Sequence, residues 1–295
     1  MSQLINNLTR MSSPNLLAGE ILRKFADIAS QSESTVGVGV GQVNSEFLQG
    51  IAGARQLADI VLVCKNEVDG WDCIRTVEPE RTLVDLLMNG TINAAVRGTV
   101  SATKLLHVLK ERMKVRRLHR SALLSTYQGK QFFLVPVGID EGRSVSDRAY
   151  LALKTSELLK SIGIDPAVGV LSGGRLEDKG RTHEVDLMLE HAEKLTTKLR
   201  AAGLEAVNYG ILIEEAISTS NVLIAPDGIS GNLIFRTLAF LGGGKGHGAP
   251  LLGIPYTFVD TSRSGAAFAD AILIASALSF LAYQNTQARQ RLDDK

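Results

Sequence analysis

The sequence predicts an α/β fold: a mostly parallel sheet with helices on both faces. Three observations carry that reading. Short apolar runs of strand length, among them 58–64, 167–171 and 221–225, alternate with longer amphipathic stretches along most of the 295 residues. Such alternation is the signature of strands joined by crossover helices. The runs also end in polar, glycine-rich turns, and in an open α/β sheet ligands bind outside the carboxyl ends of the strands.

Composition narrows the class. With 45% hydrophobic and 21% charged residues, the chain can bury a large core or two domains. Lys and Arg number 32 against 31 Asp and Glu, a net charge of +1, so global charge points to neither nucleic acid nor membrane as partner. Cys64 and Cys73 form neither a CxxC pair nor a metal spacing, which fits a reducing cytoplasm. The first twenty residues lack a basic-then-apolar leader. The longest apolar run, 271–283, is shorter than a bilayer requires. The expectation is a cytoplasmic, enzyme-sized protein.

In chain order, a helix over 16–30 follows Ser13 or Asn15 as cap. The run 36–41 is a strand and turn, then a helix spans 44–57. Its glycines suggest G-x-G-x-x-G, but the last position is Gln42, so a tightly packed turn is favoured over a dinucleotide site. A strand over 58–64, a turn at Asp69-Gly70, a helix over 78–90 and a strand to 96 follow. The segment Arg97, Gly98, Thr99, Ser101, Thr103 then opens a helix reaching about 114. An arginine and three hydroxyls at a helix start make an anion cradle, since amides and dipole both favour negative charge there. A capped helix explains the hydroxyls equally well but leaves Arg97 without a role. The basic run 110–120 lacks aromatics for base stacking and reads as a solvated helix end. Strands at 122–125 and 131–137 precede a polar crossing, 138–146, and a helix over 147–162 ends at Gly163. A strand over 167–171 leads into a second polar loop, 172–181, with Ser172 and Arg175, and then a helix over 182–202. Strands are expected at 205–209, 211–213 and 221–225. Asp227, Gly231 and Asn232 then open a helix ending at the glycines 242–244. A further apolar run stops at Asp260, just before Ser262 and Arg263. The last helix covers 267–282, with Asp270 in its first turn and a frayed charged tail, 289–295.

Several chemistries are excluded. His183 and His191 are eight residues apart, wrong for HExxH, and no metal site is expected. There is no G-x-S-x-G elbow and no P-loop. What remains is Arg97, Asp227, Asn232, Ser262, Arg263 and Asp270. Arginine forks suit phosphate, and a carboxylate beside them can take a proton from a nucleophile.

Residues 221–270 resemble the phosphotransacetylase and phosphate butyryltransferase family. The resemblance lies in Pro226-Asp227, Ser230-Gly231-Asn232, Gly242-Gly243, Gly248-Ala249-Pro250 and Ser262-Arg263. Upstream, 95–103 and 162–172 are similar to its other loops. The combination Val96-Arg97-Gly98-Thr99-Val100-Ser101, 171–181 and 225–236 is most similar to a methanogenesis-marker branch described as methyltransferase subunit X. That resemblance implies a methanogenic archaeal source.

The resemblance implies two α/β/α domains of the isocitrate/isopropylmalate dehydrogenase type around an interdomain cleft. Their expected spans are 1–146 with 256–295, and 147–255. It also implies transfer of an acyl group between phosphate and coenzyme A, with coenzyme A or acyl phosphate as substrate and no tightly bound cofactor. Ser262 and Arg263 would stabilise the reacting centre and Asp270 would be the base. Arg97, Gly98, Thr99, Ser101, Thr103, Ser172, Arg175, Asp227, Gly231 and Asn232 would bind the small anionic ligand. A homodimer is expected, with a methyltransferase-system protein as a further partner. In the family the acid follows the serine by seven residues, the position of Ala269 here, and Asp270 is one later. One residue at a helix start turns a side chain by roughly 100°. The alternative expectation is therefore a catalytically altered binding or accessory subunit. Nicotinamide-dependent oxidation is a third reading, weakened by the incomplete fingerprint.

Overall fold

The computed structural model describes residues 19–261 and 268–293. In chain order these form α1 (Glu20–Ala29), β1 (Thr35–Val40), α2 (Ser45–Ala52), β2 (Asp59–Cys64), β3 (Asp72–Arg75), α3 (Pro79–Met88), β4 (Ala94–Val96) and α4 (Ala102–Met113). Next come β5 (His119–Arg120), β6 (Ala122–Ser125), β7 (Gln131–Val135), α5 (Val145–Ser161), β8 (Ala167–Leu171), α6 (His183–Ala201) and β9 (Glu205–Gly210). The remaining elements are α7 (Ile213–Thr219), β10 (Val222–Ile224), α8 (Gly228–Phe240), β11 (Lys245–Leu252), β12 (Thr257–Asp260) and α9 (Phe268–Asp293).

The strands make one twelve-stranded sheet in the order β3-β2-β1-β4-β12-β11-β6-β7-β10-β8-β9, with β5 on β11. From β3 to β12 every pairing is parallel, as are β7-β10-β8-β9. Between these blocks β11 runs antiparallel to β12, β5 and β6, and β6 antiparallel to β7. The sheet is thus mixed, with an antiparallel centre that the alternation of runs did not predict.

Alternate residues of each strand feed opposite faces, as the pleat requires. On one face Val36, Leu62, Ala94, Val259, Leu123, Phe133, Val168 and Val222 join α1, α2, α5, α6 and α9 in a core running the whole width of the sheet. On the other, Val63, Ala95 and Phe258 pack under α3 and α4, while Ala122, Leu124, Phe132 and Leu223 pack under α7 and α8. The second face therefore carries two separate helical covers. That separation leaves a gap in the covering where the antiparallel centre lies.

Several sequence expectations are corrected here. Residues 211–213 are not a strand; Ile213 starts α7. The turn after Asp69-Gly70 leads into an edge strand, β3, which the sequence reading lacked. The glycines after α8 open β11 directly, because Gly246 and Gly248 accept the close approach of Phe235 and Ala271. The charged tail is helical through Asp293, so α9 is longer than 267–282. Residues Phe268–Ala288 are consequently long and apolar enough to cross a membrane by length and composition, contrary to the reading of 271–283. Of that stretch's apolar window 56% is buried, against α1, β11 and β12, which makes it a core helix. The glycines of β1 have a packing reason: a Cβ on Gly39 or Gly41 would sit 2.8 Å from the carbonyl oxygen of Arg97 or Thr99.

The start of α8 is the tightest junction. Asp227 caps it by accepting from the Ser230 amide at 2.8 Å, and Asn232 donates to the Val137 carbonyl at 3.0 Å. A Cβ on Gly228 would lie 1.7 Å from the Gly138 carbonyl oxygen, and one on Gly231 1.8 Å from that of Pro136. Only glycine lets the helix come this close to 136–138. Gly231→Ala should cost about 3 kcal/mol of stability. Urea unfolding checks this, and a change below about 0.5 kcal/mol would mean the helix start moves freely.

Candidate functional site

The gap on the second face contains a cavity of about 140 Å³. Ala122, Val137 and Phe235 wall it with side chains, and Gly246, Gly248 and Ala249 of β11 supply a floor with almost none. Asn232, Arg120, Asp260 and Thr261 give it a polar side. The arrangement follows from local structure: the bulge in β11 between Gly246 and Gly248 widens the strand, and α8 holds Asn232 and Phe235 over it.

The polar side is anchored by a buried charge cluster. Asp260 accepts from Arg97 Nε, from Arg120 Nη1 at 3.4 Å and from the Thr261 amide at 2.9 Å. Arg120 Nε also donates to Glu141 at 2.8 Å, and Arg97 Nη1 to the Val100 carbonyl at 3.2 Å. The Glu141 side chain is 1% exposed and that of Arg97 5%. Burial opposes the charge on Arg120, but the Glu141 and Asp260 carboxylates outweigh it and hold the guanidinium above its ordinary value. With two cations and two anions the cluster is balanced.

Of the sequence-predicted residues, Asn232 lines the cavity and Arg97 stands behind Asp260. Gly98, with φ +60, and Thr99 fasten the β4–α4 loop to β1, Thr99 accepting from the Gly41 amide at 3.0 Å. Ser101 caps α4, and Thr103 is an exposed position on that helix. Gly231 and Asp227 build the start of α8. Ser172 is buried with its hydroxyl on the Gly174 carbonyl, and Arg175 is an exposed residue of the loop after β8; neither reaches the cavity. Ser262 and Arg263 lie outside the described residues. Asp270, on α9, is on the opposite face of the sheet from the cavity.

Asp270 has partners the sequence did not suggest. Its Oδ2 is 2.7 Å from His247 Nδ1, and His247 Nε2 is 2.9 Å from Ser125 Oγ. His247 is 5% exposed and Ser125 7%. Asp270 Oδ1 is buried without a hydrogen-bond partner among the described residues.

Arg120, Glu141, Asp260, His247 and Ser125 were thus missed. Arg120 closes a basic run in which Lys110, Arg112 and Arg117 pair at the surface with Asp140, Asp85 and Asp147. His247 alone had a readable signal, a histidine between glycines in an otherwise apolar run. Removing one member of the buried cluster strands a charge, so Glu141→Ala should cost about 3–5 kcal/mol. Arg112→Ala, which breaks an exposed pair, should cost under about 1 kcal/mol. Urea unfolding of both variants checks the contrast, and equal small losses would contradict a buried network.

No protein-family profile matches the chain. Among solved structures, a branched-chain phosphotransacylase from Enterococcus faecalis superposes with a TM-score of 0.63 at 18% identity, covering 84% of this chain and 99% of that one. A phosphotransacetylase from Staphylococcus aureus gives 0.63 at 15% identity, covering 88% and 99%. A 4-hydroxythreonine-4-phosphate dehydrogenase from Klebsiella pneumoniae gives 0.56 at 10%, covering 85% and 98%. These likenesses establish the fold. Among curated proteins, "Putative methyltransferase mtx subunit X" of Methanosarcina mazei is 46% identical over 260 residues, covering 86% of this chain and 93% of that one. The same-named protein of Methanosarcina barkeri is 47% identical, covering 86% and 96%. With identity at that level over most of both chains, this protein belongs to the methyltransferase mtx subunit X family.

Proposed function

We propose that the chain is a phosphate acyltransferase-like protein of a methanogenic archaeon that binds a phosphorylated or coenzyme A-type ligand in the cleft holding the cavity. In this reading the sheet is shared by two lobes, 1–146 with 256–295, and 147–255, with β6 and β7 of the first crossing beyond β11, where β7 pairs with β10 of the second. The observation that carries it is the cavity itself, at strand ends on a fold shared with phosphotransacylases, walled by apolar groups and closed by a polar side. A volume near 150 Å³ accepts a molecule about the size of benzene. The cavity therefore suits a short acyl group or a phosphate of such a ligand, with the reacting bond at its mouth and the rest lying outside.

The roles follow from the resemblance and from chemistry. The chain leaves the cavity wall at Thr261, passes through Ser262 and Arg263, and enters α9 just before Asp270. By the resemblance, Ser262 and Arg263 would meet the negative charge that develops on the acyl oxygen as the thiol adds and phosphate leaves. Asp270, across the sheet from the cavity, would take the proton of a thiol presented beyond the strand ends rather than inside the cavity. The Arg97–Asp260–Arg120–Glu141 cluster would keep that wall rigid rather than supply a free cation. Localisation is proposed as cytoplasmic, and coenzyme A or an acyl phosphate as substrate.

One observation favours a second reading. Ile229, Leu233 and Phe240 fall within about 60° on the outer face of α8 at 100° per residue. They are 60%, 61% and 40% exposed, and Leu241 beyond them 84%. An apolar stripe of this kind marks a protein interface. A second copy satisfies it by isologous pairing of the stripe with itself. A methyltransferase-system protein would instead make this chain an accessory subunit.

Two outcomes test these readings. Purified protein should be stabilised thermally by coenzyme A or acetyl phosphate and should exchange the acetyl group between them, with Asp270→Asn losing exchange at least about a hundredfold. Neither stabilisation nor exchange would leave the accessory reading. Sedimentation should give a dimer that Leu233→Lys converts to monomer, and a monomeric wild type would remove the self-pairing.

A further inference from the structure

We propose that His247 is a positioning residue for Asp270: it holds the carboxylate by Oδ2, is itself held in one tautomer by Ser125, and leaves Oδ1 as the atom that receives a proton. This rests on the reading in which Asp270 is the base. It adds how that base is oriented, from residues outside the resemblance that suggested Asp270.

With a neutral ring and an ionised carboxylate the hydrogen-bond chain has one consistent direction. A carboxylate only accepts, so the proton between Asp270 and His247 sits on Nδ1. In the neutral ring Nε2 then carries a lone pair, and the Ser125 hydroxyl must donate to it. The contacts of 2.7 and 2.9 Å are both within hydrogen-bond range, and among the described residues each ring nitrogen has a single partner. The ring is therefore locked by two fixed groups from different elements, β6 and α9.

The backbone is built to allow this. His247 lies at the bulge of β11, where its neighbour Gly248 has φ +131. A Cβ on Gly248 would lie 3.0 Å from Val259 and 3.3 Å from Ala271. Glycine there seats the first turn of α9 directly on β11 and brings Asp270 alongside the ring. Bulges commonly re-aim a side chain at a functional position. Asp270 Oδ1 is the counterpart: a buried acceptor with no partner among the described residues. Asp270 stands two residues into α9.

A merely structural histidine and a positioning one respond differently to substitution. Asparagine can place its amide nitrogen close to Nδ1 and still donate to Oδ2, whereas glutamine reaches toward Nε2. In the acetyl exchange assay His247→Gln should lower kcat about ten- to a hundredfold with KM for acetyl phosphate within about twofold. His247→Asn, with the same melting temperature as His247→Gln, should restore most of kcat. Equal kcat in wild type and His247→Gln, or no rescue by asparagine, overturns the proposal. The second arm needs no activity. Nitrogen-edited NMR of the full chain should show His247 with its proton on Nδ1, a tautomer lost in Asp270→Asn and mixed in Ser125→Ala. If wild type exchanges no acetyl group, the acyl reading falls, and the NMR arm alone decides the arrangement. A proton on Nε2, or a ring signal indifferent to Asp270→Asn, overturns it.

Discussion

Strand β11 has to satisfy both faces of the sheet at once, and most of the architecture depends on how it does so. It is the antiparallel link between two parallel blocks: without its pairings to β12, β5 and β6 the sheet has no continuous ladder from β3 to β9. A strand in that position is enclosed by helices on each side, so its side chains must be small where helices come close. Gly246, Gly248 and Ala249 meet that demand and, under α8, leave unfilled volume. The bulge between Gly246 and Gly248 turns His247 to the opposite face, toward α9. Cavity and histidine are consequences of one local irregularity.

The charge cluster extends the same logic across the strand ends. Arg97 follows β4, Arg120 belongs to β5 and Asp260 ends β12, so three strands are pinned where their backbone pairing stops. Glu141 brings in the segment after β7. Desolvating four charges is costly, and the geometry offsets this because every carboxylate oxygen faces a guanidinium or an amide. The result is a stiff wall on one side of the cavity. On the other, Gly228 and Gly231 let α8 press against 136–138, fixing Asn232 and Phe235. A site with both walls immobilised can present a small volume to a ligand without reorganising, which favours binding through reduced ordering cost.

The sequence made the layered fold legible because burial on both sides leaves nearly continuous apolar runs, visible at 58–64, 167–171 and 221–225. Of the residues it singled out at the start of α8, Asn232 lines the cavity, while Asp227 and Gly231 build the helix start behind it. The antiparallel centre was hidden by composition: a strand rich in glycine, as β11 is, reads locally as a turn. Charge partners were hidden for a different reason. Arg97 and Asp260 are 163 positions apart, and Ser125 and His247 122, so no local pattern can join them. Arg97 drew attention as a lone cation at a helix start; its carboxylate partner explains it without any ligand. The glycines of β1 resembled a nucleotide loop only because close packing against carbonyl oxygens and binding of phosphate make the same demand for a missing Cβ.

Family and fold point in different directions, a methyltransferase name on one side and phosphotransacylase structures on the other. Both are compatible with a phosphotransacetylase-like fold in which the acid beyond Ser262 has moved by one residue. The most direct measurement is a crystal structure of the protein grown with coenzyme A and acetyl phosphate. The acyl group or phosphate of one of them should occupy the volume between Phe235, Asn232 and Gly246, against Thr261. A cavity left empty at saturating ligand, or a ligand bound only elsewhere on the surface, would contradict it.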